Sequence, residues 1–288
     1  MAGIANGRLS GRLLGWTITF VVIVWSVMCL SAARAEENPK AIIKNGTNGK
    51  KLATIDPATF VPKSLVFSAD GRHAIWLIRS NDQYQLLLDG VPGPKFDGTY
   101  QPPVVLSPDG RHVAYLVKNK DGNHQSVITD GTIGPPFDHI LRGTPLFSPD
   151  SRHVAYAGVH QGAYQVVLDG KPSPDYELVG HLNFSPDGQR FAYAAQHEKR
   201  RFVVVDGIPG PSFDDVFPAG FSPDSRHLIY YATQGKKQRM MVDNQSGTEY
   251  DSIGPVRFNP AEGAKPPSIS YIGVLGHDLI EVSQPLPK

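Results

Sequence analysis

The chain has 288 residues, of which 40% are hydrophobic, and it carries 28 Lys and Arg against 27 Asp and Glu. This composition excludes a disordered, collagen-like or polytopic membrane protein, and the near-neutral charge gives no reason to expect a nucleic-acid partner. The 29 glycines and 25 prolines are typical of a chain with many turns.

The N-terminal segment has the pattern of a secretory signal. Two arginines precede the apolar run Leu13–Leu30, and Ala33-Arg34-Ala35 then offers small residues at the spacing that a signal peptidase requires. We therefore expect residues 1–35 to be a signal peptide cleaved after Ala35, and residues 36–288 to be one domain in the periplasm or outside the cell. The alternative is an uncleaved N-terminal membrane anchor, because the run is near the minimum length of a membrane span.

The only cysteine, Cys29, lies within this apolar run. The predicted mature chain therefore has no disulfide, no thiolate metal site and no cysteine nucleophile. We expect no cofactor and no bound metal.

A pentapeptide recurs along the rest of the chain. It reads FSADG from Phe67, LSPDG from Leu106, FSPDS from Phe147, FSPDG from Phe184, FSPDS from Phe221 and FNPAE from Phe258. The steps between copies are 39, 41, 37, 37 and 37 residues, a period typical of repeat architectures. An aromatic residue follows eight residues after the serine in five copies, at Trp76, Tyr115, Tyr156, Tyr193 and Tyr230, and Tyr271 is the sixth equivalent.

Each repeat is predicted to contain four short strands. In the third repeat, Leu146-Phe147 ends one strand and the Ser-Pro-Asp-Ser turn leads into a second strand over His153–Gly158. A third strand is expected over Tyr164–Leu168, followed by an Asp-Gly hairpin and a weaker fourth strand near Tyr176–Val179. Four strands in about 40 residues are typical of a β-propeller blade.

The number of repeats predicts an all-β, six-bladed β-propeller of four-stranded blades. The last repeat supplies strands at Val256–Phe258, Ile269–Val274 and Leu279–Val282 but ends before a fourth. We expect the N-terminal segment Lys51–Ile55 to supply the missing outer strand, which would close the ring and leave no exposed sheet edge.

The repeat resembles the WD40-like β-propeller repeat (PD40) of TolB-type proteins. The resemblance rests on the Ser-Pro-Asp-Gly start and the following Arg-His-Val-Ala-Tyr strand, and it extends from about Leu65 to Val282. It implies a periplasmic or secreted propeller that binds other proteins. The Asp-Gly-x-Pro-Gly-Pro-x-Phe-Asp segment after the third strand, as at Asp89–Asp97, departs from the TolB pattern, so the specific role of TolB is not implied.

The repeated polar residues are predicted to be structural. A turn aspartate recurs at Asp70, Asp109, Asp150, Asp187 and Asp224, and a histidine recurs at His73, His112, His153 and His227. A ring of metal ligands is the alternative, but side chains on different blades cannot converge on one ion. The aromatic residues Phe96, Phe137, Tyr176, Phe213 and Tyr250 are expected to pack between blades.

Candidate binding residues are expected where the repeats differ, in loops that share one face around the channel. Loops from each fourth strand to the next first strand contain Tyr100, Arg142, His181 and Phe217. Loops from the second to the third strand contain a basic run that includes Lys199, Arg200 and Arg201. This face could bind an acidic protein surface or an anionic sugar; the alternative is an ordinary solvated loop face.

No nucleophile elbow, HExxH, P-loop or dinucleotide-binding motif occurs in the sequence. We therefore expect a non-enzymatic scaffold that binds a protein partner, with contact to a membrane only through an uncleaved N-terminal segment. One alternative is a propeller that binds or processes a polysaccharide or small ligand at the channel mouth through His181, Arg142 and Tyr100. Another is a structural subunit of an envelope complex, and the oligomeric state stays open.

Overall fold

The computed structural model describes residues 51–288 except Ala69, Gly98 and Lys288, and for residues 99–103 it describes the backbone only. The predicted signal peptide and its cleavage site lie outside the described residues. Leu52–Lys288 forms one compact unit. This unit contains 25 strands, and none of its described residues is helical. No described segment therefore qualifies as a membrane-spanning helix.

The strands form six antiparallel sheets in chain order. Sheet 1 contains β1 (Val66–Phe67), β2 (Ala74–Ser80), β3 (Gln83–Leu88) and β4 (Val91–Phe96). Sheet 2 contains β5 (Thr99–Leu106), β6 (Val113–Lys118), β7 (Gln125–Thr129) and β8 (Thr132–Ile133). Sheet 3 contains β9 (His139–Ile140), β10 (Leu146–Phe147), β11 (Val154–His160), β12 (Ala163–Leu168) and β13 (Lys171–Pro172), with β9 and β10 both paired to β11.

Sheets 4 and 5 have the strand order of sheets 1 and 2, and sheet 6 resembles sheet 3. Sheet 4 contains β14 (Leu178–Phe184), β15 (Phe191–His197), β16 (Arg200–Val205) and β17 (Ile208–Pro209). Sheet 5 contains β18 (Asp215–Phe221), β19 (Leu228–Gln234), β20 (Lys237–Val242) and β21 (Gln245–Tyr250). Sheet 6 contains β22 (Ser252–Ile253), β23 (Arg257–Asn259), β24 (Ser268–Leu275) and β25 (Asp278–Pro285), with β22 and β23 both paired to β24.

The repeated serine, aspartate and histidine hold the turns of each sheet. In sheet 3, Ser148 Oγ donates to Asp150 Oδ1 at 2.5 Å and accepts the backbone N–H of His153 at 2.9 Å. His153 Nδ1 lies 2.7 Å from Asp169 Oδ2, while Asp169 Oδ1 accepts the backbone N–H of Val154. Hydrogen bonding to Ser148 lowers the pKa of the Asp150 carboxyl. These side chains therefore organise the backbone.

Successive sheets pack through aromatic pairs. An aromatic residue at the end of each fourth strand or shortly after it packs against the aromatic residue of the next sheet's second strand. The ring centroids are 5.6 to 6.3 Å apart in the pairs Phe96–Tyr115, Phe137–Tyr156, Tyr176–Tyr193 and Tyr250–Tyr271. Phe213 and Tyr230 share the buried cluster between sheets 4 and 5. Five apolar clusters connect the six sheets in sequence, and this is the packing of propeller blades.

The second and third strands of the third repeat lie where the sequence predicts them, but the fourth strand does not. It follows the Asp-Gly hairpin at once, as β13. Tyr176 makes only an isolated bridge to Tyr164, and Val179 belongs to the first strand of sheet 4. The apolar residues near Tyr176 serve the packing between sheets.

The expected closing strand is not seen over Lys51–Ile55, which has no strand pairing. Within the described residues, β25 pairs only with β24. Ala53 instead lies at the outer side of sheet 1, where its Cβ is 2.6 Å from the position that a Cβ on Gly90 would take. The three predicted strands of the last repeat are present, as β23, β24 and β25.

Candidate functional site

Three of the four variable residues lie within first strands rather than in loops as expected. Tyr100, His181 and Phe217 lie in β5, β14 and β18, because these strands begin earlier than predicted. Each of these strands contains a β-bulge just beyond or at the variable residue. A bulge changes the direction of the strand and of its side chains, so the variable residues occupy irregular positions in an otherwise regular framework.

His181 and Phe217 are brought together from neighbouring sheets. Their ring centroids are 4.5 Å apart, with an interplanar angle of 64°. The backbone of His181 has φ of +55°, and it is the only non-glycine residue within a described strand with a positive φ. Phe217 is 53% exposed, which is high for a large apolar side chain packed on another ring. Backbone strain of this kind occurs at functional sites.

The two rings lie beside a cleft between sheets 4 and 5. Its volume is about 210 Å³, and its lining includes His181, Phe217, Arg201, Asp215 and the partly exposed Leu178. Arg201 Nη1 donates to Asp215 Oδ1 at 2.6 Å, and Arg201 Nε donates to Gln196 Oε1 at 3.0 Å. The cleft thus combines the His181 and Phe217 rings with the Arg201–Asp215 ion pair.

Asp215 was not anticipated from the sequence, although a signal was present. The aromatic residue at or after the end of each fourth strand is followed by an acidic residue. Only Phe213, between sheets 4 and 5, is followed by two in succession, Asp214 and Asp215. The first acidic residue caps the next hairpin, because Asp214 Oδ2 accepts the backbone N–H of Gly235 at 2.6 Å. The second is therefore available to pair with Arg201.

The predicted basic run is largely neutralised by such pairs. Arg200 forms an ion pair with Asp214 and also donates to Gln234 Oε1 at 2.9 Å. Lys199 is exposed, and its backbone N–H donates to Glu177 Oε2. A hydrogen bond from Gln196 is the main cause that lowers the pKa of the Glu177 carboxyl. Of the three basic residues, only Arg201 lines the cleft.

The remaining two candidate residues lie apart from the cleft lining. Arg142 is exposed in the turn between β9 and β10 of sheet 3. Tyr100 lies in β5, and its side chain is outside the described part of the structure. The structure thus brings together His181, Phe217 and Arg201 from the seven predicted residues.

The repeated histidines do not form a common centre. Each lies in its own sheet beside the aspartate of an Asp-Gly or Asp-Asn turn, in the pairs His73–Asp89, His112–Asp130, His153–Asp169 and His227–Asp243. In sheet 4, Arg190 takes the histidine position and pairs with Asp206. Among the described residues, no three His, Cys, Asp or Glu side chains are grouped to hold a metal ion.

No protein-family model matches the chain, and no curated protein matches it significantly. Solved structures similar to it include the β-propeller domain of the Trilobed protease from Pyrococcus furiosus, at 10% identity and a TM-score of 0.37 over 80% of this chain and 86% of that chain. TolB from Acinetobacter baumannii is 13% identical, with a TM-score of 0.29 over 77% of this chain and 55% of that chain. A eukaryotic initiation factor is 14% identical, with a TM-score of 0.39 over 78% of this chain, which spans 65% of that chain. The similar structures thus include β-propellers.

Proposed function

We propose that this chain is an exported, non-enzymatic β-propeller that binds a protein partner at the cleft formed by His181, Phe217 and Arg201. The Ser-Pro-Asp-Gly repeats support its assignment to the WD40-like (PD40) propellers of the TolB type. The observation that carries the binding proposal is the half-exposed Phe217 ring, which packs on His181 beside the Arg201–Asp215 ion pair.

Aromatic residues and arginine dominate the binding energy of protein interfaces, above all where they lie together in a preformed depression. Phe217 offers an apolar surface that is already fixed by its contacts with His181 and Tyr231, so binding would order few further side chains. Arg201 is held by Asp215 and Gln196 and can present its remaining N–H groups to a partner's backbone carbonyl or carboxylate.

The test begins with a photo-crosslinking amino acid in place of Leu178, which lines the cleft and is 39% exposed. The same replacement at Ile133, which is 64% exposed in sheet 2, is the control for nonspecific capture. We expect one protein to be captured in cells from position 178 and not from position 133. The captured protein is then purified and its affinity measured against the unmodified chain.

Phe217→Ala should weaken this purified complex by at least tenfold, because truncating a central aromatic residue costs about 2 kcal/mol or more. Phe67→Ala is the matched control, since Phe67 is 61% exposed in sheet 1. Equal affinity of the Phe217→Ala variant would reject the cleft as the binding site. Capture of nothing above background from position 178 would favour a polysaccharide or small-ligand role.

We also propose that the six sheets close into a ring through the N-terminal segment. Support comes from a comparison of two junctions. At the junction of sheets 1 and 2, Pro94 Cδ lies 3.0 Å from the Cβ position of Gly131, in the hairpin of the next sheet. Gly90 is the equivalent of Gly131 in sheet 1, and Ala53 contacts it in the same way. Ala53 therefore occupies the position that Pro94 of the preceding sheet occupies at the junction of sheets 1 and 2.

We propose export with cleavage after Ala35, which gives a mature N-terminus at Glu36. Mass spectrometry of the protein isolated from cell fractions tests this directly. A mature mass that begins at Glu36 in the periplasm or medium is the expected result. An intact N-terminus in the membrane fraction would instead support a retained anchor.

A further inference from the structure

A groove between sheets 1 and 2 is lined in part by the loop that joins β6 to β7. Its volume is about 490 Å³, within the range of small-molecule sites. Sheet 1 contributes residues of β4, and sheet 2 contributes residues of β6, β7 and the loop between them. None of these residues lines the cleft between sheets 4 and 5, so this groove is a separate site.

The loop between β6 and β7 differs from the equivalent hairpins of the other sheets. Six residues separate β6 from β7, whereas two residues separate the equivalent strands in each of the other five sheets. Hydrogen bonds within the loop close it: the Asn119 N–H donates to the His124 carbonyl oxygen at 3.0 Å, and Asn119 Oδ1 accepts the His124 N–H at 3.1 Å. The groove therefore lies at a point where the repeats diverge.

The longer loop replaces a hydrogen bond that connects neighbouring sheets at the other junctions. At the next four junctions, an acidic side chain accepts a backbone N–H from the hairpin of the following sheet at 2.6 to 3.2 Å, from Asp138, Glu177, Asp214 and Asp251. Asp97 is the equivalent residue between sheets 1 and 2. Within the described part of the chain, its side chain is bonded only by Gln83 Nε2 of its own sheet, at 3.1 Å. The groove is therefore open where the other junctions are bridged.

Three lysines line the groove, and their ammonium groups are available to a ligand. Lys95 and Lys120 are exposed and Lys118 is half-buried, and none of the three forms an ion pair with a described residue. Asp97 and Asp121 also line the groove, which leaves it with a net charge of +1. An anion that enters the groove is therefore attracted without displacing an existing ion pair of these lysines.

The groove also offers exposed apolar surface. Pro94 is exposed on the side of sheet 1, and Ile133 is 64% exposed on the side of sheet 2. A ligand that covers these two side chains removes apolar surface from water, which is favourable. The lining thus suits a molecule that has both an apolar body and an anionic group.

We propose that this groove binds a small organic anion with an apolar body. The anionic group lies among the three lysines, and the apolar body covers Pro94 and Ile133. Lysine ammonium groups attract an oxyanion as point charges and impose little geometry on it. The ligand class is therefore defined by its negative charge and its apolar body, and an aromatic carboxylate has both. This site is independent of the protein-binding cleft proposed above.

Amide chemical-shift titrations with benzoate and with benzamide, a neutral analogue of similar shape, test the proposal. The chain without residues 1–35 is suitable, because it retains the whole compact unit Leu52–Lys288. Both probes should shift the residues that line the groove, and benzoate should bind about three- to tenfold more tightly, as expected for partly exposed ion pairs. The preference for benzoate should disappear in about 1 M salt, which screens such charges.

A triple variant tests the role of the lysines. It carries Lys95→Gln, Lys118→Gln and Lys120→Gln, and it should bind benzoate no more tightly than benzamide while its affinity for benzamide stays the same. The control replaces three exposed lysines that do not line the groove, with Lys63→Gln, Lys171→Gln and Lys236→Gln. Because both variants lose the same charge, a preference that persists only in the control assigns the effect to the groove.

Ile133→Ala tests the apolar contact separately. It should weaken binding of both probes by about two- to fivefold and leave the preference for benzoate intact, since it removes apolar surface only. Ile208→Ala is the control, because Ile208 is 71% exposed in sheet 4. The proposal is overturned if neither probe shifts the lining residues, if the preference survives the triple variant or high salt, or if Ile133→Ala binds both probes normally.

Discussion

Replacing Gly158 with alanine is expected to destabilise the protein, because the ring of Phe137 occupies the space that a methyl group would need. A Cβ on Gly158 would lie 2.5 Å from Phe137 Cγ and 2.6 Å from Cδ1. Phe137 has no exposed surface and packs edge-on against Tyr156 with centroids 6.3 Å apart, so its ring has little room to move. Overpacking of this kind costs about 1 to 3 kcal/mol.

A double-mutant cycle shows whether the cost arises from this contact. Phe137→Ala alone should cost about 3 to 5 kcal/mol, since it leaves a cavity between sheets 2 and 3. In the double variant, the new methyl group faces that cavity and the added cost of Gly158→Ala should disappear. The two effects should therefore differ from additivity by about 1 kcal/mol or more.

Urea unfolding of the chain without residues 1–35 is the appropriate assay, with circular dichroism reporting all sheets and the fluorescence of Trp76, its single tryptophan, reporting sheet 1. Coincident transitions and equal slopes would justify comparing free energies of unfolding, which repeat proteins require as a check. Gly254→Ala is the control, because its nearest contact would be an ordinary 3.5 Å to the Ile272 carbonyl oxygen. A neutral Gly158→Ala, or strict additivity with Phe137→Ala, would refute the reasoning.

Three further perturbations test other parts of the structure. The pKa of Asp150 is lowered below 3.8 chiefly by Ser148, so its contribution to stability is present above that pH and is lost as pH falls through the folded value. Ser148→Ala should therefore shift the acid-unfolding midpoint to higher pH, and an unchanged midpoint would contradict this role. Burial raises the pKa of Tyr156, Tyr230 and Tyr271 to about 12. Stability should thus be unaffected below about pH 10 and fall between about pH 10 and 12, as the unfolded chain releases protons that the folded chain retains; a free energy of unfolding that stays constant over that range would contradict this. Deleting Lys51–Ile55 should lower the urea midpoint by removing the contact with Gly90, and a midpoint equal to that of the full chain would reject the proposed closure.

The second and third strands could be predicted because their signals are local. Short runs of β-branched and aromatic residues and a following Asp-Gly turn define β11 and β12 within a few positions of the chain. The fourth strand could not, because β13 is only two residues long and its sequence, Lys171-Pro172, has no strand pattern. The fourth strand was predicted near Tyr176 because that residue is aromatic, but its ring packs against Tyr193 of the next sheet instead.

The candidate cleft could be predicted only in part. The sequence identified His181 and Phe217 as departures from the repeat, but their ring contact depends on the bulges in β14 and β18, which turn side chains from two sheets toward each other. Charge alone was misleading for Arg200, since a basic run in sequence does not reveal the acidic residues of the next repeat that neutralise it. The two successive aspartates, Asp214 and Asp215, were the sequence signal that Arg200 and Arg201 are paired.

The last sheet presents less apolar surface for packing against another sheet than sheet 2 does. In sheet 2, the cross-strand pair Leu116–Val127 faces the next sheet and is buried. The equivalent pair of sheet 6 is Ile272–Glu281, in which Ile272 is 52% exposed. A polar outer face is typical of a terminal repeat, and it offers little apolar surface for packing on sheet 1. The proposed closure therefore rests on the contact between Ala53 and Gly90, and this is the contact that deletion of Lys51–Ile55 would remove.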